Sequence, residues 1–121
     1  MPCCREDPEI AYTHFLEAAS VEGPDQADAF AWLGHYFRKV HNEDLKARKC
    51  YRRSLLLNPR QAEAGIALCD LLHLSNSEAL VEELCLEVLA MYDSAAWARL
   101  RLGMHYLWTG RAQEAITELQ V

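Results

Sequence analysis

The chain has 121 residues, 51% of them hydrophobic and 25% charged, an ordinary balance for a single folded domain and too apolar for a disordered one. Its 12 Lys and Arg against 18 Asp and Glu leave a formal charge of −6, which argues against the basic footprint that nucleic-acid binding needs. No apolar run approaches the roughly 20 residues that span a bilayer, and no apolar core follows a basic start, so neither a membrane segment nor a secretory signal is expected and the chain reads as intracellular.

Only four prolines and five glycines interrupt the chain, which predicts an all-α fold. After an irregular start over 1–9, Ala11, Phe15 and Ala18 recur at i, i+4 and i+7 and predict a helix near 8–20, ended by Gly23-Pro24. A helix near 26–40 carries Leu33, Gly34 and Phe37, the glycine admitting a close neighbour. The next, near 44–57, sets Ala47, Tyr51 and Ser54 on one stripe, and Pro59 closes the unit because it cannot continue a helix.

The same grammar then returns. A helix near 60–74 bears Leu68 and Cys69, Ser75-Asn76-Ser77 supplies a turn with Ser77 as N-cap, and a helix near 77–91 bears Val81, Cys85 and Val88. A helix near 94–109 bears Leu102, Gly103 and Tyr106, Gly110 makes the turn, and a last helix near 111–121 carries Ala112, Ala115 and Leu119. Leu33, Leu68 and Leu102 lie 35 and 34 residues apart within "AWLGHYF", "IALCDLL" and "LRLGMHY". A period of that length marks a helical solenoid, each unit burying its apolar face against its neighbours. The expected organisation is a lone second helix (10–26), a full repeat (27–61), a degenerate repeat (62–95) and a repeat truncated in its second helix (96–121). These units would wind about seven antiparallel helices into a right-handed α–α superhelix. Ile116 and Leu119 face a neighbour that the chain does not contain, so a piece of a longer array is expected.

The set Leu33-Gly34, Phe37, Ala47, Tyr51 and Pro59, with Leu102-Gly103, Tyr106, Ala115 and Leu119, resembles the tetratricopeptide repeat consensus. It departs from it at Gly65, where a large residue is usual, and by one extra residue in the turn "HNEDLK". A narrower resemblance, carried in order by "THFLEAA", "WLGHYFRKV", "KARKCYRRS", "AEAG" and "LRLGMHYLWTGRAQEAITELQ", is to the family of tetratricopeptide scaffold subunits of superkiller complexes. That resemblance implies a non-catalytic scaffold whose partners are helicase and beta-propeller subunits and exosome factors. It implies a role in 3′-to-5′ messenger RNA decay, in the cytoplasm with the nucleus as a second compartment.

In tetratricopeptide arrays the first helices line a concave groove. The resemblance therefore makes His35, Arg38, Lys39, Asp70, His73, Trp97, Leu100, Met104 and Trp108 candidates for binding protein, either a peptide or flanking parts of the same chain. The carboxylate clamp of chaperone adaptors is not expected, since Ala31 and His35 stand where that clamp needs a cation and an amide. Lys46, Arg48, Lys49, Arg52 and Arg53 form one basic run on a second helix, and Glu78, Glu82, Glu83 and Glu87 on the next second helix are expected to offset it.

Of the five cysteines, odd in number and without a C-x-x-C pair, Cys50, Cys69 and Cys85 read as core thiols in a reducing compartment, and Cys3 and Cys4 as exposed thiols near the N-terminus. The five histidines show no H-x-x-x-H spacing, and no nucleophile elbow or phosphate loop occurs, so no metal, cofactor or catalysis is expected. A pentatricopeptide-type RNA reader has a compatible period but needs a base-discriminating polar pair in each repeat, absent in register here. A generic peptide-binding adaptor using Trp97, Met104 and Trp108 stands as the alternative to the scaffold.

Overall fold

The computed structural model describes residues 7–110 and 116–118. Six helices follow one another: α1 (Pro8–Ala19), α2 (Gln26–Lys39), α3 (Asp44–Leu57), α4 (Ala62–Leu74), α5 (Glu78–Met91) and α6 (Ala96–Trp108). Residues 116–118 are helical as well, and no strand occurs among the described residues. Each helix packs on its successor, and α4 also contacts both α2 and α6. This is the connectivity of a helical repeat superhelix, in which first helices stack on first helices.

Local chemistry sets the boundaries. Asp7 caps α1 by accepting the Glu9 amide at 3.0 Å, and Pro8 occupies the first turn, where its missing N–H costs nothing. Asn42 and Asn76 turn the chain between paired helices with φ of 53° and 58°, and Gly110 does so at 81°. These three lie at steps of 34 residues, each of a type that tolerates the left-handed region. The bounds of α3 and α5, and of α4 and α6, repeat at the same step. The extra residue of the first period therefore falls before Asn42, at Val40-His41, where His41 Nε2 lies 2.8 Å from the Tyr36 hydroxyl.

The main core joins Leu55, Leu68, Leu72, Val81, Val88 and Leu102 with the expected Ala47, Tyr51, Cys69 and Tyr106. Leu33 and Gly34 are buried, Phe37 and Pro59 half-buried, and Gly103 is buried within α6. Ala115 and Leu119, and the seam they were expected to form, lie outside the described residues. A second cluster holds α1 against α2 and corrects the expected stripe. Tyr12, Phe15 and Ala19 face the core while Ala18 is exposed, because Tyr12 stacks on Tyr36 with centroids 4.6 Å apart and turns the helix by about one position.

Volume is exchanged between helices at equivalent positions. A Cβ at Gly34 would enter the Tyr51 ring, so the absent side chain of α2 makes room for the tyrosine of α3. One repeat later the pair becomes Cys69 and Cys85, both fully buried, two middle-sized side chains in place of none and one large. The hydrogen bond to Cys69, together with burial, holds the Cys85 thiol well above the usual thiol range. The degenerate middle repeat is thus repacked at this seam. Ser54 ties α3 to α2 by donating to the Ala27 carbonyl at 2.6 Å, both residues being buried.

Candidate protein-binding face

The face to consider is the one formed by the first helices α2, α4 and α6. Because α4 touches both neighbours, the sides of these helices turned away from α3 and α5 adjoin one another. Large apolar side chains stand open on them: Trp32 of α2, Ile66 of α4, and Leu100, Leu107 and Trp108 of α6 are about half exposed, and Leu74 ends α4 more exposed still. Trp32 was not among the expected groove residues. It stacks on Phe15 of α1 at 6.2 Å and meets His35 edge-on at 5.1 Å.

The structure gathers three of the expected residues around one that sequence reasoning missed. Arg101, buried in α6, binds Asp70 of α4 at 2.8 Å and lies over the Trp108 ring at 5.7 Å. The His73 ring approaches Trp108 at 5.5 Å. Asp70, His73 and Trp108 therefore form one cluster with Arg101 as its hub. A guanidinium suits that place because it can pair with a carboxylate in its plane while presenting its face to an indole.

Another missed group lies beneath. His105, one turn after Arg101, is buried, with Nδ1 3.5 Å from Glu78 and Nε2 3.3 Å from Glu82. Glu78 is also hydrogen-bonded to His73, and Tyr106 donates to Glu82 at 3.3 Å. The expected offsetting of charge across the second helices is corrected by this. Glu78 and Glu82 turn toward α6, and among the ion pairs of the described residues only Arg52–Glu87, at 3.1 Å, joins α3 to α5. The i, i+4 spacings of Glu78/Glu82 and of Arg101/His105 were the signal available in the sequence.

The other expected groove residues scatter. Trp97 is buried: its ring covers Gly65 and its Nε1–H donates to the Pro59 carbonyl at 2.9 Å, which removes it from the open face. His35 turns inward, its Nδ1 2.7 Å from the Tyr51 hydroxyl and its Nε2 3.4 Å from Glu63. Burial holds its pKa below the ordinary 6.5, against the attraction of Glu63 and aided by Lys39. Arg38 and Lys39 border a separate shallow cleft with Leu71 and Leu74 at the far end of α4. Met104 is half-buried, and Leu100 is open. Among the described residues, no group of three His, Cys, Asp or Glu is placed to hold a metal ion, and no helix is long and apolar enough to cross a membrane.

No protein-family model matches the chain. Its sequence is 38% identical over 118 residues to superkiller complex protein 3 of Mus musculus and 38% identical over 122 residues to that of Homo sapiens, each match covering 96% of this chain and 8% of the relative. It is 35% identical over 117 residues to tetratricopeptide repeat protein 37 of Xenopus laevis, across 95% of this chain and 7% of that protein. The chain thus spans less than a tenth of the length of these relatives. With stacked helix pairs and these likenesses together, the chain is a tetratricopeptide-type helical repeat segment, similar along nearly all of its length to a short stretch of superkiller complex protein 3.

Proposed function

We propose that this segment is a non-catalytic protein-interaction scaffold, part of a larger tetratricopeptide array in a superkiller complex that supports exosome-mediated 3′-to-5′ messenger RNA decay in the cytoplasm. The observation that carries this reading is the match to superkiller complex protein 3 across 96% of the chain. The stacked fold supports it physically. Six helices in nearest-neighbour contact make a stiff support whose open surface, rather than an enclosed cavity, meets partners. Trp32, Ile66, Leu100 and Trp108 offer apolar anchors there, and the Asp70–Arg101 pair beside Trp108 offers a fixed polar group. The partners we assign are proteins: helicase and beta-propeller subunits of the complex and exosome factors.

The test is capture of the tagged natural protein from its own cells, followed by quantitative mass spectrometry. Recovery of a helicase, a beta-propeller protein and exosome factors is the expected result. Recovery of none of the three overturns the assignment to this complex.

A further inference from the structure

The opposite side of the stack carries a second surface that the first-helix face does not account for. Between the second helices α3 and α5 runs a groove of about 300 Å³, floored by Leu68 and Leu72 of α4. Its lips include Leu45, 72% exposed, and Leu80, 41% exposed. Beside it, sharing Arg52 and Leu84, lies a smaller hollow of about 70 Å³ lined by Leu56 and Met91, both exposed. An apolar trough between two 14-residue helices is the kind of place where a partner helix can seat its apolar face.

Charge decides what the trough would accept. The α3 wall carries Arg48, Lys49 and Arg52, whereas the α5 wall has lost most of its counter-charge. Glu78 and Glu82 are committed to His73, His105 and Tyr106 on the far side of α5, and Glu87 is taken by Arg52. Neither Arg48 nor Lys49 has an ion-pair partner among the described residues, and Glu83 alone faces them across the lip. A chain of net charge −6 thus presents a locally cationic wall above an apolar floor. Among the described residues no aromatic side chain lines the trough, so it lacks the stacking platforms that single-stranded nucleic acid uses.

We propose that the α3–α5 groove docks an amphipathic helix of a protein partner, its leucine-class side chains between Leu45 and Leu80 above the Leu68–Leu72 floor and an acidic flank against Arg48 and Lys49. The array then binds partners on both sides, the first-helix face and this one acting independently.

The experiment uses the full chain and a fluorescein-labelled synthetic peptide helix with leucines at i, i+4, i+7 and i+11 and glutamates along one flank, read by fluorescence anisotropy. A second peptide has lysines in place of the glutamates. The chain is expected to bind the acidic peptide about tenfold more tightly than the basic one, with affinity falling as salt rises. Arg48→Glu with Lys49→Glu should reverse that preference. Leu45→Ser with Leu80→Ser, at exposed positions that leave the circular dichroism spectrum unchanged, should weaken both peptides. Trp108→Ala should leave acidic-peptide binding intact, which separates this site from the first-helix face. Equal binding of the two peptides, insensitivity to the Arg48/Lys49 exchange, competition by an oligouridine, or a self-associated chain dispersed by the Leu45/Leu80 change would each overturn the proposal.

Discussion

Gly65 and Trp97 share one space: the indole of α6 occupies the volume into which a side chain at position 65 of α4 would project, and its N–H reaches past it to the Pro59 carbonyl at 2.9 Å. The departure from the repeat consensus at Gly65 thus has its compensation 32 residues further on. Alanine normally gains about 1 kcal/mol over glycine inside a helix. Here Gly65→Ala is expected to destabilise by about 1–3 kcal/mol, because the buried ring cannot withdraw without straining its hydrogen bond to Pro59. Trp97→Ala should cost about 3–5 kcal/mol through the cavity it leaves. Urea denaturation of the two variants checks both, and a stabilised Gly65→Ala would show that the ring can move.

The exchange of Gly34 and Tyr51 for Cys69 and Cys85 predicts a compensating pair. Cys85→Tyr alone should cost about 1–3 kcal/mol by overpacking. Adding Cys69→Gly to it should recover most of that loss, as a non-additive double-mutant cycle measured by chemical denaturation.

Arg101 is the hub of the open face and is buried, whereas Asp70 is half-solvated. Asp70→Asn is therefore expected to cost about 1–3 kcal/mol, short of the 3–5 kcal/mol of a fully buried pair, since the amide oxygen can still accept from Arg101 and the carboxylate it replaces is half in water. Arg101→Met, which removes the charge with its desolvation, should perturb stability no more than Asp70→Asn does. Thermal melts of the two single variants and the double variant separate the terms.

His35 gives the fold a signed dependence on pH. Its folded-state pKa is lowered from 6.5 by burial, so the unfolded chain takes up the proton first as pH falls. The contribution of His35 is fully present above pH 6.5 and is lost as pH drops through the folded-state value. His35→Gln should flatten that segment of the stability profile, and NMR titration of the ring should place its midpoint below 6.5. Tyr36 acts at the other end. Its hydroxyl, removed from water and donating to Glu9 at 3.0 Å, is pushed up to about 12, so its contribution holds through pH 10 and falls as pH rises toward 12.

The fold was legible because its signals are local and repeated. Leucine spacing, asparagine turns and Pro59 locate α3 to the residue and the other five helices to within two. The open face was half legible, and the two tryptophans of α6 show why. Trp97 and Trp108 lie eleven residues apart and so point within about 20° of each other around the helix, which makes them equivalent to any periodicity argument. What separates them is the neighbour: α4 offers Gly65 to the first, which sinks, and His73 to the second, which stays half in water. Arg101 and His105 escaped notice for a related reason. A buried basic side chain is recognised by its carboxylate, and those carboxylates sit on other helices.

The proposed scaffold requires that the stacked first helices hold an apolar face for protein partners. Capture of the natural protein carrying Trp32→Ala, Leu100→Ala and Trp108→Ala, compared with the unaltered protein by quantitative mass spectrometry, tests it most directly. Loss of the helicase, beta-propeller or exosome partners by about tenfold, with the helical circular dichroism of the chain unchanged, is the predicted result. Undiminished recovery of all of them would contradict it.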